Sequence, residues 1–123
     1  MASDNSDWSE WLPLTKEVLV KSVPVSSGVY QIRPIGADSA GYIGSGTGKG
    51  GLKQRIGQRI YSPDRYLSPF EKKLVQIGLS LEFRFIETAA PQDAKQLEAV
   101  KIQQYAENHK GKLPPGNIVK PKL

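Results

Sequence analysis

Gly28-Val-Tyr-Gln-Ile-Arg-Pro-Ile35 and Gly41-Tyr-Ile-Gly-Ser45, joined by the turn-rich Gly36-Ala-Asp-Ser-Ala-Gly41, decide how this chain is read. The first stretch has strand composition and is stopped by Pro34. The second resumes as a shorter strand, so the two predict a hairpin. Tyr30 and Tyr42 stand on opposite arms of that hairpin, where cross-strand side chains come within reach of one another. Each tyrosine fits either core packing with an outward hydroxyl or membership of a site.

Outward from the hairpin, Gly44, Gly46, Gly48, Gly50 and Gly51 make a glycine loop. Leu52 to Tyr61 then shows helical spacing, with Leu52, Ile56, Ile60 and the aliphatic stem of Arg59 on one stripe. Ser62-Pro63-Asp64 stops it. Ser68-Pro69 with Glu71 reads as an N-cap, a proline at the first helical position and a capping-box carboxylate, opening a helix through Ile77 that Gly78 ends. Leu81, Phe83 and Phe85 alternate with Glu82, Arg84 and Ile86, the pattern of a half-buried strand. Pro91 to about His109 is the longest helical stretch, with Ala94, Leu97, Ala99, Val100, Ile102 and Tyr105 available for packing, closed by Gly111 and Pro114-Pro115-Gly116. Upstream, Trp8 and Trp11 would share a face if their segment were helical and would lid the core, and Thr15 opens a short helix over 16–20. The order is β-β-α-α-β-α with an extra N-terminal helix: an α/β (α+β) fold, a small three-stranded antiparallel sheet flanked by helices. The expected organisation is an N-terminal extension over 1–25 packing on the core, a domain over 26–118 and a basic tail over 119–123.

A chain of 123 residues, 38% apolar and 24% charged, suits one globular domain and excludes wholesale disorder or a fibrous repeat. The absence of cysteine removes disulfide frameworks, thiolate zinc sites, iron–sulfur clusters and cysteine nucleophiles. No apolar run approaches a membrane span, and the acidic start lacks the pattern of a signal peptide, so a soluble cytoplasmic protein without a membrane partner is expected. Asp4, Asp7, Glu10 and Glu17 against Lys16 leave residues 1–20 at −3, so the remainder carries +8 within the total of +5. Lys53, Arg55, Arg59, Arg65, Lys72, Lys73 and Arg84 crowd the middle of the chain. This balance fits a polyanionic partner, nucleic acid first, and equally a solvated basic surface.

The candidate chemistry is narrow. Gly46-Thr-Gly48-Lys-Gly-Gly51 satisfies G-x-G-x-x-G, but the following element reads as a helix without the parallel β-α-β unit and acidic residue of a dinucleotide site. A P-loop is excluded, because Ile43 stands where its first glycine belongs and Gly50 follows Lys49. The solitary His109 excludes His-clustered metal sites and two-histidine catalysis. Glu98 falls mid-helix at the edge of the packed face, where it reads as an exposed helix former or as a site carboxylate. Arg55 brings a fixed cation to the same hairpin end. Tyrosine hydroxyls, a guanidinium and one carboxylate together suit an oxygen nucleophile, a phosphate and a hard metal ion.

At these residues the chain resembles the GIY-YIG endonuclease family. Gly28-Val29-Tyr30 is similar to the first half of the name motif, and Tyr42-Ile43-Gly44 is identical to the second, with eleven residues between Tyr30 and Tyr42. Leu52-Lys-Gln-Arg55 resembles the motif carrying the family's catalytic arginine, Glu98 matches its metal-binding glutamate, and Asn117 resembles the asparagine that often closes the domain. The resemblance spans residues 28 to 117. It implies a DNA endonuclease that uses Mg²⁺, with Mn²⁺ able to substitute: Tyr30, Tyr42, Arg55 and Glu98 catalytic, Glu98 also the metal ligand, and Arg59, Lys49, Lys53, Lys72, Lys73 and Asn117 contacting nucleic acid. Either a homodimer or an accessory protein would help such a small domain choose its site. The chain departs from the family at Arg59, where a His or Tyr is common, and in a longer loop between Gly44 and Leu52; at Ser45 relatives often have Lys and sometimes Ser. The competing expectation is a catalytically idle nucleic-acid-binding module of the same fold.

Overall fold

Strand alternation sorts every side chain of the sheet to one of two faces, and both faces are covered. The computed structural model describes residues 7–38 and 40–117; the basic tail expected at 119–123 lies outside the described residues. The elements run β1 (Leu12–Pro13), α1 (Lys16–Ser22), β2 (Gly28–Pro34), β3 (Tyr42–Gly46), α2 (Gly51–Tyr61), α3 (Pro63–Tyr66), α4 (Pro69–Gln76), β4 (Leu81–Glu87) and α5 (Pro91–Asn108). The mixed α and β class holds. The sheet has four strands instead of three, in the order β1-β4-β2-β3 and antiparallel throughout. The added strand is short: Leu12 pairs with Phe83 and Pro13 with Glu82. Proline has no N–H to donate, so it is tolerated at such an edge.

The segment carrying Trp8 and Trp11 is extended, not helical. Ser9 N–H donates to the Phe85 carbonyl (2.9 Å), and Phe85 N–H donates back to Ser9 Oγ (3.0 Å). Residues 8–13 thus strap the outer edge of β4. Two further expectations shift. Ser62-Pro63 ends α2 but also begins the short helix α3, with Pro63 at its first position. Ala99 and Val100 face outward on α5, Val100 being 45% exposed, while the inner face carries Ala94, Leu97, Lys101, Ile102 and Tyr105.

The central strand β2 divides the core. Tyr30 and Ile32 point to one face with Phe83 and Leu81, against Leu19 of α1 and Leu52 and Ile56 of α2. Val29 points to the other, with Ile43 and Trp8, against Leu97, Ile102 and Tyr105 of α5. The caps are as the residue types dictate: Thr15 Oγ1 accepts from Val18 N, and Ser68 and Glu71 form the full capping box of α4. Gly51 adopts φ +56°, and a Cβ there would meet the Val25 carbonyl at 1.9 Å, so the end of the glycine loop has a packing cause of its own.

Strand β3 is an edge, and the end of the chain closes part of it. The Asn117 side chain accepts from Ile43 N (2.8 Å) and donates to Ile43 O (2.8 Å), imitating a neighbouring strand, while Gly116 N donates to Gly41 O. Asn117→Ala would leave both backbone groups of Ile43 without these partners, and should cost about 1–3 kcal/mol. The shift is read from the urea denaturation midpoint, with Asn117→Asp, which keeps the acceptor alone, falling between alanine and the parent. An unchanged midpoint in Asn117→Ala would remove the clamp from the account.

Candidate functional site

Tyr30 lies opposite Gly44 in the β2–β3 register, and Ile32 lies opposite Tyr42, so the two tyrosines are diagonal neighbours on one face. Their ring centroids are 6.0 Å apart. Gly44 makes the approach possible: a Cβ there would stand 2.7 Å from the Tyr42 ring and 2.8 Å from the Tyr30 hydroxyl. A side chain at this position would therefore push the tyrosines apart. The Tyr-Ile-Gly run thus has a steric explanation at its third residue.

Helix α2 supplies the cations. Its first turn is tied to the loop before β2, with Leu52 N donating to Ser26 O and Lys53 N to Pro24 O. Ile56 turns into the core, and Arg59, one turn on, follows it over the tyrosines. The Arg59 guanidinium carbon lies 5.1 Å from the Tyr30 ring centroid and 4.6 Å from that of Tyr42. Arg59 is only 7% exposed. Its Nη1 donates to the Arg55 carbonyl (3.4 Å), while Nε has no hydrogen-bond partner among the described residues. Expected as a phosphate contact, Arg59 is first a packing and electrostatic partner of the two tyrosines, although it also lines a pocket of about 270 Å³ with Tyr42, Tyr66, Ser68 and Asn117. Arg55, by contrast, is exposed, its Nη1 reaching only Gln58 Oε1 at 3.3 Å.

The electrostatics of the cluster follow from burial. Tyr30 is 1% exposed. Desolvation pushes its phenol far above the ordinary value; Arg59 and, less strongly, Arg55 pull it back, while Tyr42 and Glu71 oppose them. Burial works against the Arg59 charge, yet Tyr30, Tyr42 and Glu71 more than offset it and hold its pKa above the ordinary value. Glu71 was legible only as a capping carboxylate. Its Oε1 does accept from Ser68 N, but the residue is 1% exposed and its Oε2 is buried without a partner, within electrostatic range of Arg59.

Glu98 stands apart from this cluster. It projects from α5 toward the opposite face of the sheet, where Ser45 Oγ donates to Glu98 Oε1 at 2.8 Å and Lys95 Nζ approaches the same oxygen at 3.6 Å. Ser45 follows Gly44 directly, so Glu98 and the tyrosines are held by consecutive residues of β3 on opposite sides of that strand. The structure therefore brings Tyr30, Tyr42 and Arg59 together, sets Arg55 at their solvent side, and attaches Glu98 across the strand. Ser45 had no reading beyond its place after the motif. Its role as the Glu98 partner depends on a long-range contact that no local spacing signals.

The remaining cations are scattered over separate elements. Lys49 is exposed in the glycine loop. Lys53 Nζ donates to the Val20 carbonyl at 3.3 Å, tying α2 to α1. On α4, Lys72 is half-buried and Lys73 exposed. Both polar ends of the Asn117 amide are engaged by Ile43. Among the described residues no group of three or more His, Asp or Glu side chains is placed to hold a metal ion, and no helix is long and apolar enough to cross a membrane. No protein-family model matches the chain, and no curated protein or solved structure matches it either.

The raised Tyr30 pKa has a consequence for stability. Above about pH 10 the unfolded chain ionises this phenol while the folded protein keeps its proton, so the contribution is complete below that pH and is lost as pH rises. The slope is up to about 1.4 kcal/mol per pH unit. Urea denaturation of the parent and Tyr30→Phe between about pH 8 and pH 11.5 should show the parent losing stability faster above pH 10. Parallel curves would mean that Tyr30 ionises as readily folded as unfolded.

Proposed function

We propose that the chain is a metal-dependent endonuclease of the GIY-YIG type that hydrolyses phosphodiester bonds in DNA. The observation that carries the reading is the arrangement along β3: two tyrosines and a buried arginine over Gly44 on one side, and a carboxylate hydrogen-bonded to Ser45 on the other. A phosphodiester lying over the open end of β3 would meet the Tyr42 hydroxyl and the Arg55 guanidinium from one side and Glu98 from the other.

Glu98 and Ser45 offer oxygen donors only, which suits Mg²⁺, an ion that keeps several waters and takes one or two protein carboxylates; Mn²⁺ accepts the same donors. Both contacts of the carboxylate fall on Oε1, which leaves Oε2 to face a ligand. When bound there, the ion supplies positive charge to the scissile phosphate and the leaving oxygen.

The chain's own residues divide the remaining work. Arg55, exposed and always charged, would bind a non-bridging phosphate oxygen and stabilise the charge that builds in the transition state. Tyr30 keeps its proton, so it acts as a hydrogen-bond donor and orienting group and not as the resting base. Tyr42, half-exposed and hydrogen-bonded to Arg59, is then the tyrosine that could take a proton from an attacking water, once its own phenolic proton has left to solvent. Lys49, Lys53, Lys72 and Lys73 would add salt-sensitive affinity for the backbone.

Purified protein should nick supercoiled DNA when Mg²⁺ or Mn²⁺ is present. Arg55→Ala and Glu98→Gln should each lower the rate by about 10²-fold or more, while binding DNA as the parent does at low salt. Cutting by both variants at the parent rate would sink the site assignment. Salt-sensitive binding without cleavage of supercoiled or branched DNA would show an idle DNA-binding module instead.

A further inference from the structure

On the face of the sheet opposite the tyrosine cluster, the strap, the strands and α5 enclose a pocket of about 380 Å³. Its walls carry Trp8, Trp11 and Tyr105 with Arg33, Arg84 and Lys101, and Asp38 is the one carboxylate among the lining residues. Arg84 lies 4.7 Å from the Trp8 ring and 4.6 Å from Trp11, and Arg33 lies 3.8 Å above Trp11. Much of this has a structural cause: Arg33 is paired with Glu82 at 2.6 Å and Arg84 donates to Gln31 at 2.6 Å, so both hold the strap to the sheet.

Lys101 has no such cause. It sits in the buried stripe of α5, between Ala94 and Tyr105, where an apolar residue would pack on Trp8 without penalty. Instead an ammonium group lies 5.5 Å from the Trp8 ring, on a residue only 7% exposed. Among the described residues, no carboxylate comes within ion-pair distance of it. With its stem packed away, the ammonium emerges into the pocket, where a bound anion would supply the counter-charge that the fold does not. Beside it, Tyr105 and His109 are stacked face to face, 3.7 Å apart at 5°, and both line the pocket. His109 Nδ1 lies 2.7 Å from the Tyr105 carbonyl, which can only accept, so that nitrogen carries a proton and Nε2 of the neutral ring is an acceptor. Asn108 adds an amide at the rim.

We infer that this pocket binds a nucleotide, its phosphate on the Lys101 ammonium and its base against the Tyr105–His109 plate. The volume suits a ligand of that size, and aromatic stacking combined with cations is how single bases are commonly held. The inference is independent of the nuclease reading, since it uses none of Tyr30, Tyr42, Arg55 or Glu98. The two sources of such a ligand, a free nucleotide and a nucleotide within a single strand, share this chemistry.

The chain's two tryptophans, Trp8 and Trp11, both line the pocket, so intrinsic tryptophan fluorescence reports on it alone. Titration with adenosine monophosphate should change that fluorescence, and adenosine without the phosphate should bind about tenfold more weakly or worse. A short single-stranded oligonucleotide tests the second source: a response to it alone assigns the site to a strand. Lys101→Met, which keeps the packed stem, should weaken binding by about tenfold; Lys101→Arg should restore it, and Lys21→Met on the exposed side of α1 should leave it unchanged. The absence of a response to either ligand, equal affinity for adenosine and its monophosphate, or parent-like binding by a folded Lys101→Met would each overturn the inference. The comparison of adenosine with its monophosphate needs only the parent protein, so it stands even if Lys101→Met does not fold.

Discussion

The register of β2 against its two neighbours is the constraint on which the rest of the molecule depends. Five residue pairs with β3 and seven with β4 fix which side chains go to which face. A slip of one residue would send Tyr30 and Ile32 to the α5 side and Val29 and Gln31 beneath α2, exchanging the contents of both cores. Because β2 is covered on both faces, such a slip would bury Gln31 and Arg33 among Leu52, Ile56 and Leu19 with no partners. The same register carries the chemistry. It sets Gly44 under the Tyr30 hydroxyl, Arg33 beside Glu82, and Gln31 beside Arg84.

Local chemistry explains what the sequence made legible. The capping box at Ser68 and Glu71, Thr15 as an N-cap, the prolines opening α4 and α5, and the stripe of Leu52, Ile56 and Arg59 each depend on residues within one or two turns. The elements they define appear where expected. What was not legible depends on distant partners. Strand β1 is two residues with no period of its own, and exists because Phe83 and Glu82 offer an edge. The Trp8 and Trp11 spacing of three looks helical, but the hydrogen bonds of Ser9 to Phe85 hold that segment extended. Within the candidate site, the tyrosine pair followed from the hairpin, while Ser45 beside Glu98 and Asn117 beside Ile43 span more than fifty residues of chain each.

Charge placement shows the same division. The surplus of positive charge reads from composition as one basic surface, but the folded chain uses its cations in different ways. Arg33, Arg84 and Arg59 lie over aromatic rings, and Lys53 ties two helices together. Guanidinium groups suit the buried positions because they are weakly hydrated and lie flat on a ring. An ammonium group such as that of Lys101 is strongly hydrated, and it packs its stem on the core while its head faces the pocket.

Arg59 also limits how the proposed reaction could move a proton. The family pattern that the chain resembles commonly has a His or Tyr one turn after the catalytic arginine, groups that can give or take a proton. Arginine cannot do so near neutral pH, and its neighbours raise its pKa further. Its effect on the site is therefore constant: a fixed positive charge between two phenols, with Glu71 behind it. Tyr30 is too deeply buried to ionise beside that charge, whereas Tyr42 reaches the mouth of a pocket that Arg59 also lines. Beside a cation that cannot titrate, burial is the largest influence that keeps the proton on Tyr30, so in the proposed reaction Tyr30 could serve only as a donor.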